Sequence, residues 1–190
     1  MLQWAEAWLA RNKPGRAFVG LTHRLDRPVG GVMALAKTSK AASRLSQQFR
    51  ERTTTKNYLA LVSGCLSDDG GRLEQNLVRE GDFTRPAKAE EKGTRAVLDW
   101  RPRRQNGEFA LLEITLLTGF KHQIRAQLSL LGCPVVGDRR YGSTLVGPEG
   151  ASPAIGLWAE ALSIEHPTRK EKMTFECRPP AGWPWNMFNE

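Results

Sequence analysis

The stretch HRLDRPVGG, residues 23–31, holds a carboxylate in a setting that could support catalysis. Asp26 lies between Arg24 and Arg27, and a proline and two glycines follow closely. Because proline restricts its neighbour and glycine allows backbone angles closed to other residues, we expect a sharply turned, rigid loop. Such a loop can hold the carboxylate at a fixed angle, as a nucleophile requires. The alternative is a surface turn in which Asp26 pairs with Arg24 or Arg27, since exposed ion pairs are common and weak.

A second group of polar residues falls in the stretch KHQIRAQLSLLG, residues 121–132. Apolar residues recur there at helical spacing, beginning with Ile124, and predict a helix with one apolar stripe. Arg125 follows Lys121 by four positions and His122 by three, so all three would project beside this stripe. An arginine there could reach a carboxylate, keep it ionised and leave one oxygen free to attack. The alternative is a solvated basic face, the usual meaning of such residues on an amphipathic helix.

Tyr58, in the stretch KNYLALVSG, is the third candidate for a role in chemistry. It is one of two tyrosines in the chain. A half-buried tyrosine on a strand is usually a packing residue with a hydrogen-bonded hydroxyl, which is the alternative interpretation here. Taken singly, none of these three features decides the function.

The elements that position these residues can be predicted from apolar periodicity and turn residues. Thr38 or Ser39 can cap a helix that runs to about Phe49, and a second helix, the KHQIRAQLSLLG segment, ends at a glycine. An Asn-Gly turn within residues 104–107 favours a hairpin, and residues 67–93 are expected to hold another short hairpin or loops over the sheet. Strands are predicted at residues 32–36, 56–63, 96–101, 109–117, 157–165 and 171–177. The predicted class is therefore α+β with a mixed, largely antiparallel sheet.

Composition and charge limit the possible functions. The chain has 190 residues, 40% of them hydrophobic and 25% charged, which fits one ordinary globular domain. Lysine and arginine outnumber aspartate and glutamate by 28 to 20, giving a net charge of +8, so a polyanion such as nucleic acid is the natural partner. No apolar run is long enough to cross a membrane, and the N-terminal residues do not read as a secretory leader, which favours the cytoplasm.

The cysteines and histidines predict neither a disulfide framework nor a metal site. They form no CxxC pair and no HExxH or similar spacing, and the cysteines are odd in number. They are Cys65, Cys133, Cys177, His23, His122 and His166. We therefore expect no metal in this protein.

Four ordered segments of the chain together resemble one family. They are HRLDRPVGGVMALAKT, KNYLALVSG, LTGFKHQIRAQLSLLGCPVVGDRRYG and LWAEALSIEHP. In this order and spacing they are similar to the RluA-type family of pseudouridine synthases, and the match runs from about Leu21 to Arg178. The resemblance implies a pseudouridine synthase core: a mixed, mainly antiparallel and bent sheet with flanking helices and the active site in a central cleft.

The resemblance also implies a reaction on RNA. A uridine loses its glycosidic bond to ring nitrogen, the uracil turns while still held, and ring carbon five is joined to the ribose. No metal, nucleotide or redox cofactor takes part, and the protein is expected to act as a monomer on ribosomal or transfer RNA. The alternatives are a non-catalytic RNA-binding protein or RNA chaperone on the same fold and, as a third class, a protein-interaction module.

The resemblance assigns roles to particular residues of this chain. Asp26 matches the family's nucleophile, whose target is the ribose anomeric carbon or the uracil ring. Arg125 matches the arginine that pairs with this aspartate and aims it. Tyr58 matches a tyrosine that stacks near the uracil and helps remove the proton from ring carbon five, for which a free tyrosine is a weak base. Ile124 matches the aliphatic residue under the pocket, and Lys121 falls near the pocket entrance.

Further residues of the same motifs are expected to contact RNA. Arg24 and Arg27 would meet the RNA backbone around a uridine that has left its stack. Arg24 would fill the vacated space or contact a neighbouring phosphate. Lys121 and His122 are expected to bind RNA beside them, so the predicted RNA-binding residues come from both motifs.

The chain departs from the family pattern in three places. Residues 29–31 read Val-Gly-Gly where Thr-Ser-Gly is usual, and Phe120 stands where an arginine is common. An NKP sequence occurs at residues 12–14, too close to His23 to be the family's N-terminal element. We therefore expect residues 1–190 to form a single catalytic domain that lacks the usual N-terminal strand segment and an accessory RNA-binding domain.

Overall fold

Strands outnumber helices among the residues that the structure describes. The computed structural model describes residues 1–12, 18–64, 69–145, 147–149 and 155–188. The strands of these residues are β1 (Gly20–Leu21), β2 (Gly30–Gly31), β3 (Leu35–Ala36), β4 (Thr55–Ser63), β5 (Gly71–Glu80), β6 (Phe83–Pro86), β7 (Thr94–Gln105), β8 (Phe109–Leu116), β9 (Leu157–Glu165) and β10 (Lys172–Glu176).

Eight of these strands form one mixed sheet within the described residues. Seven follow the order β10-β9-β4-β8-β7-β5-β6, each neighbouring pair being antiparallel, and β2 adds a short parallel pair to β9. Strands β1 and β3 pair separately. The predicted α+β class with a largely antiparallel sheet is confirmed, and β4 lies well inside the sheet, between β8 and β9.

Turn residues explain the hairpin between β7 and β8. Asn106 Oδ1 accepts a hydrogen bond of 2.9 Å from the backbone N–H of Phe109, and Gly107 has a φ of 87°. A positive φ is what glycine supplies in such turns, so the prediction for residues 104–107 is confirmed. The described part of residues 67–93 contains a second hairpin, β5 with β6, whereas residues 65–68 lie outside the described residues.

The α-helices of the described residues are α1 (Leu2–Asn12), α2 (Ser39–Glu51) and α3 (Gln123–Leu130), with short 3₁₀ turns at Arg139–Tyr141 and Trp185–Phe188. Helix α2 starts as predicted, because Thr38 Oγ1 accepts a hydrogen bond of 3.1 Å from the N–H of Ala41. Its buried Leu45 packs with Ala36, Leu162 and Ile164. None of the helices in the described ranges is long and apolar enough to cross a membrane.

The largest cluster of buried side chains lies where α3 packs against the sheet. Ile124 and Leu128 of α3 belong to this cluster together with Leu98, Leu112 and Ile114 of the two long strands β7 and β8. Truncating a fully buried side chain such as Leu128 to alanine costs about 2–5 kcal/mol of the free energy of unfolding. Since α3 is held by this packing, the backbone of every residue on it is fixed relative to the sheet.

Two predictions about these elements are wrong. The strand predicted at residues 32–36 exists only as Leu35–Ala36, because the N–H of Val32 instead donates to the carbonyl of Ala159 over 2.9 Å. The predicted helix of residues 121–132 begins only at Gln123, because His122 has a φ of 55°, a left-handed conformation that a right-handed helix cannot contain. Lys121 and His122 therefore do not project from the helix.

Strand β9 contains a β-bulge at Glu160. On β4, Asn57 faces Ala161 and the next residue faces Ala159, so Glu160 has no partner opposite it. The bulge reverses the alternation of buried residues along β9. Leu157 and Ala159 are buried before the bulge, and Leu162 and Ile164 are buried after it.

Candidate active site

The loop that carries Asp26 is closed by hydrogen bonds between its two ends. Thr22 Oγ1 donates to the carbonyl of Ala34 over 2.7 Å, and the N–H of Ala34 donates to His23 Nε2 over 2.9 Å. Within the loop, the N–H of Val29 donates to the carbonyl of Asp26 over 2.9 Å, which closes a tight turn. The predicted sharp turn is therefore present, and Asp26 lies in it.

His23 anchors this loop as a neutral imidazole. Its ring stacks on Phe49 of α2, with ring centroids 4.4 Å apart. Because Nε2 accepts the N–H of Ala34, this nitrogen cannot carry a proton. Burial, and then the charge of Lys56, lower the pKa of His23 to about 4, in agreement with the neutral form.

The two glycines after Asp26 let the loop lie directly on β9. A side chain at Gly30 would collide with the ring of Trp158, and one at Gly31 would collide with the backbone of Ala159. Gly31 also has a φ of 120°, which other residues rarely adopt. The glycine pair therefore allows the loop to dock on the sheet. This docking does not need the side-chain hydroxyls that the family pattern usually has within residues 29–31.

Arg125 lies beneath the loop and connects two aspartates. Its Nε and Nη2 donate to the carboxylate of Asp138 over 2.6 and 2.8 Å, and its Nη1 lies 3.6 Å from Asp26 Oδ2. The side chains of Arg125 and Asp138 are 5% and 2% exposed. We expected Arg125 to pair with Asp26. Its bidentate hydrogen-bond partner is instead Asp138, and only the remaining nitrogen, Nη1, faces Asp26. Asp138 thus aims Arg125 at Asp26.

Tyr141 completes the packing around Arg125. The guanidinium carbon lies 4.9 Å from the centre of the Tyr141 ring, a cation–π contact. The Tyr141 hydroxyl accepts a hydrogen bond of 2.9 Å from the N–H of Thr84 on β6, and it lies 2.9 Å from His122 Nδ1. Tyr141 therefore links Arg125 and His122 to the edge of the sheet.

His122 is buried beside Asp26 and not on a solvated surface. Its side chain is 8% exposed, and its Nε2 lies 4.0 Å from Asp26 Oδ1. Burial lowers the pKa of His122, and the nearby cations Arg125, Lys121 and Arg140 lower it further, although the charge of Asp26 acts in the opposite direction. The solvated basic face considered for Arg125 and His122 is therefore excluded.

Tyr58 on β4 packs against the main core cluster and lines the same cleft. Burial, and then the negative charge of Asp26, raise the pKa of its hydroxyl well above 10. A hydroxyl with a raised pKa stays protonated near neutral pH. In this state Tyr58 can pack and donate a hydrogen bond, and the tyrosinate that would act as a base is populated less than in a free tyrosine.

All the residues predicted from sequence meet in one open cleft with a volume of about 1300 Å³. They are Arg24, Asp26, Arg27, Tyr58, Lys121, His122, Ile124 and Arg125. Ile124 is buried beneath the cleft, whereas Arg24 and Arg27 are exposed at its edge. Within the described residues, no carboxylate forms an ion pair with Arg24 or Arg27, so the surface turn considered for Asp26 does not occur.

The cleft is strongly basic. Its other lysines and arginines are Arg50, Arg52, Lys56, Arg79 and Arg140. Lys121 is paired with Asp82, a second carboxylate of the cleft, over 2.8 Å, and Arg140 Nη1 donates to the carbonyl of Asp82 over 3.0 Å. A cleft of this charge, with a carboxylate at its floor, fits a protein that acts on nucleic acid.

Sequence reasoning missed Lys56, Asp138 and Tyr141. Lys56 precedes Tyr58 by two positions on β4, and residues two apart share a face of a strand, so the spacing alone could have placed it in the cleft. Burial, and then the charge of Arg52, lower the pKa of Lys56 to about 8. Asp138 and Tyr141 lie in the GDRRYG sequence. The fold brings both into contact with Arg125, and no spacing along the sequence indicates this contact.

The described residues contain no group of three or more His, Cys, Asp or Glu side chains that could hold a metal ion. Cys65 lies outside these residues.

Comparison with known proteins gives the class to which this fold and cleft belong. The family model of RNA pseudouridylate synthases matches residues 6–130. The chain therefore belongs to the RNA pseudouridylate synthase family.

Individual relatives agree with this membership. The chain is 36% identical over 169 residues to a protein of Aquifex aeolicus described as an uncharacterized RNA pseudouridine synthase, a match that covers 85% of this chain and 53% of that protein. It is 32% identical over 179 residues to the dual-specificity RNA pseudouridine synthase RluA of Haemophilus influenzae, covering 93% of this chain and 80% of the relative. The chain thus spans about half the length of the Aquifex protein and most of the Haemophilus protein.

A solved structure supports the fold. Human RNA pseudouridylate synthase domain containing 4 superposes with a TM-score of 0.79 at 21% identity, covering 94% of this chain and 78% of that chain. At this identity the likeness concerns the fold alone. The predicted pseudouridine synthase core is confirmed.

Proposed function

We propose that this chain is an RNA pseudouridine synthase, which isomerises particular uridines in RNA to pseudouridine. The observation that carries the proposal is the position of Asp26, on a rigid loop at the floor of a basic cleft, with Arg125 Nη1 3.6 Å from its Oδ2. Membership of the RNA pseudouridylate synthase family supports this reaction over a non-catalytic RNA-binding role. We treat the described residues as one catalytic unit.

In the proposed reaction Asp26 is the nucleophile: its carboxylate forms a bond to the ribose anomeric carbon or to the uracil ring, and this bond breaks again when the product forms. The C1′–N1 glycosidic bond of the uridine breaks, the uracil turns within the cleft, and a C1′–C5 bond forms. The proton on ring carbon five leaves and ring nitrogen one regains a proton, so the reaction is an isomerisation without a redox change. Arg125 supports the step because its charge, held by Asp138, stabilises the ionised carboxylate and leaves the nucleophilic oxygen accessible.

Tyr58 and Ile124 are proposed to form the wall and the base of the uracil pocket. Tyr58 lies on β4, and its protonated hydroxyl can donate a hydrogen bond to the turning uracil. Ile124 gives the pocket an apolar base, since its side chain is buried beneath the cleft. Tyr58 is also proposed to help remove the proton from ring carbon five, since the charge of Asp26, which contributes to the raised pKa of Tyr58, is lost once the carboxylate has reacted.

RNA is proposed to bind along the basic edge of the cleft. Arg24 and Arg27 are exposed beside Asp26 and can contact phosphates that flank the flipped uridine. Lys121 can join them, although Asp82 competes for its charge. Other relatives are named for the large ribosomal subunit or for tRNA, so we propose one of these RNAs as the substrate. We further propose that the enzyme needs no cofactor, acts as a monomer and is located in the cytoplasm.

The test replaces Asp26 by asparagine. A pseudouridine map of RNA from cells that lack this protein, complemented with either wild type or Asp26→Asn, reports turnover at every site. We expect one or a few pseudouridines to disappear on deletion and to return only with the wild type. Filter binding of the identified RNA at two ionic strengths should give similar affinities for both proteins, because asparagine preserves the size of the side chain.

Asp99→Asn is the matched control, since Asp99 is an exposed aspartate of β7 outside the cleft. It should restore every site. Full rescue by Asp26→Asn would contradict the proposal and favour an RNA-binding or chaperone role. An absence of salt-dependent RNA binding would instead favour a protein-interaction module.

A further inference from the structure

The two ring nitrogens of His122 face different partners. Nδ1 lies 2.9 Å from the hydroxyl of Tyr141, and Nε2 lies 4.0 Å from Asp26 Oδ1. The imidazole is 8% exposed and is held in place by the left-handed backbone of His122, just before α3. It therefore bridges the Tyr141 hydroxyl and the carboxylate.

The contacts of the Tyr141 hydroxyl favour one tautomer of His122. The backbone N–H of Thr84 can only donate, so it uses an acceptor site of the Tyr141 oxygen over 2.9 Å. When the Tyr141 hydroxyl donates its hydrogen bond to His122 Nδ1, 2.9 Å away, Nδ1 is the acceptor of this pair. A neutral imidazole that accepts at Nδ1 carries its proton on Nε2, so the N–H bond points toward Asp26.

The charges around His122 favour this neutral form. Asp26 faces it from the loop and favours the protonated form, whereas Arg125 on α3, Lys121 beside it and Arg140 on the 3₁₀ turn oppose protonation. Burial acts in the same direction as the three cations, and the pKa of His122 is lowered. The ring is therefore a hydrogen-bond donor without a charge at neutral pH.

Asp26 thus faces one donor on each oxygen. Arg125 Nη1 lies 3.6 Å from Oδ2 and His122 Nε2 lies 4.0 Å from Oδ1, and both distances exceed a hydrogen bond by less than about 1.5 Å. A movement of this size, when RNA fills the cleft, would bring either donor into contact. The two donors are not equivalent, because only one of them carries a charge.

We propose that His122 is a positioning residue for Asp26: a neutral imidazole, held by Tyr141, that donates its Nε2–H to Oδ1 while Oδ2 stays beside Arg125. This inference rests on the proposed function, since it assigns Asp26 the reacting carboxylate. His122 exchanges no proton during the reaction. The donor fixes the rotation of the carboxylate and so decides which oxygen reaches the substrate.

Two substitutions separate the nitrogens of His122. In His122→Gln the side-chain amide nitrogen can occupy the place of Nε2 and donate to Asp26, whereas in His122→Asn it occupies the place of Nδ1 and faces Tyr141. Single-turnover pseudouridine formation should fall modestly in the glutamine variant and by roughly 100-fold in the asparagine variant, the scale of a misplaced reacting group. RNA affinity should stay equal in both, because the His122 side chain, 8% exposed, offers little surface to RNA.

Other outcomes would overturn the inference. If His122→Asn is the more active variant, the ring serves Tyr141 and not Asp26. If both variants lose activity equally and the pH–rate profile of the wild type contains a histidine titration that they lack, His122 transfers a proton. Tyr141→Phe removes the hydroxyl that favours one tautomer of His122, so turnover should be slower while RNA binding is not weakened. Unchanged turnover in this variant also counts against the proposal.

A measurement without substrate keeps this inference separate from the proposed function. The ¹⁵N chemical shifts of His122 in the free protein report which ring nitrogen carries the proton. We expect the Nε2–H tautomer in the wild type and a mixture in Tyr141→Phe. An Nδ1–H tautomer in the wild type would refute the inference even if the protein forms pseudouridine, whereas a correct tautomer in a protein without any turnover would refute the proposed function alone.

Discussion

Two arginine–aspartate pairs in this molecule have nearly the same geometry in opposite surroundings. Arg125 binds Asp138 through Nε and Nη2 over 2.6 and 2.8 Å at the floor of the cleft. Arg72 binds Asp99 through the same two nitrogens over 2.7 and 2.9 Å, between β5 and β7. The side chains of the first pair are 5% and 2% exposed, and those of the second are 57% and 40% exposed.

The difference shows that burial, and not bond length, decides what such a pair does. At the surface, water replaces a lost partner, so the pair contributes little and constrains nothing. At the floor both side chains are almost fully buried, so Arg125 depends on Asp138 for its two short hydrogen bonds and its orientation. The buried pair therefore serves the site by aiming Nη1 at Asp26, whereas the exposed pair only joins two strands.

Replacing Asp138 by asparagine should have the largest effect. The variant breaks a buried ion pair and leaves Arg125 only the 3.6 Å contact with Asp26, so we expect the free energy of unfolding to fall by about 3–5 kcal/mol. Turnover should fall as well, because Arg125 loses the contact that aims it. Urea unfolding measures the first effect and single-turnover pseudouridine formation the second.

Asp99→Asn is the matched control for this experiment, since it breaks a pair of the same geometry at the surface. Its unfolding curve should almost coincide with that of the wild type. Equal destabilisation by the two variants would show that the comparison between floor and surface is wrong.

His23 is a largely buried titratable residue without an ion-pair partner among the described residues. Its titration should have an effect of intermediate size on the free energy of unfolding. Its pKa is about 4 in the folded protein, below the ordinary 6.5, so between these values the unfolded chain binds the proton and the folded protein does not. Stability therefore falls as the pH decreases through this window, by up to about 1.4 kcal/mol per pH unit. Urea unfolding from pH 7 to 4.5 measures this slope.

The variant His23→Gln removes the titration and keeps an acceptor for the N–H of Ala34. Its stability should depend less steeply on pH in the same window. An identical slope in wild type and variant would assign the pH dependence to other groups, and His23 would then be no more than a surface histidine in energetic terms.

The smallest effect is expected at the rim, where Asp82 pairs with Lys121. Asp82 is 77% exposed, so Asp82→Asn should leave the free energy of unfolding nearly unchanged. RNA affinity should increase at low salt, because Lys121 becomes available to phosphate, and the salt dependence should steepen by about one charge. Weaker RNA binding by this variant would mean that Asp82 positions Lys121 for RNA and does not compete with it.

The sequence was sufficient for elements whose patterns are local. The hairpin at Asn106 and Gly107, the cap at Thr38 and the apolar stripe from Ile124 each follow from a few neighbouring residues. The eight candidate residues of the cleft could be selected because the motifs that carry them are read in order along the chain, and their roles stay predictions. Their meeting in one cleft follows from the family fold and not from any spacing.

Features that depend on distant contacts could not be predicted. Asp138 reaches Arg125 across a turn, and its adjacent arginines, Arg139 and Arg140, suggest a surface segment. The expected strand at residues 32–36 was wrong because its apolar run is interrupted by docking on β9, a tertiary contact. The helix start was wrong because the left-handed conformation of His122 serves the site and opposes the local helical preference.

The bulge at Glu160 has a consequence for how this protein tolerates change. If β9 kept all nine residues but paired without the bulge, strict alternation would turn one half of the strand over, so that either Leu157 or Leu162 would leave the core. Since the loop of Asp26 docks on Trp158 and Ala159, it would be displaced with that half. In evolutionary terms, loss of Glu160 should straighten the strand and keep its core residues buried, whereas a one-residue insertion elsewhere in β9 would need a second bulge to do so.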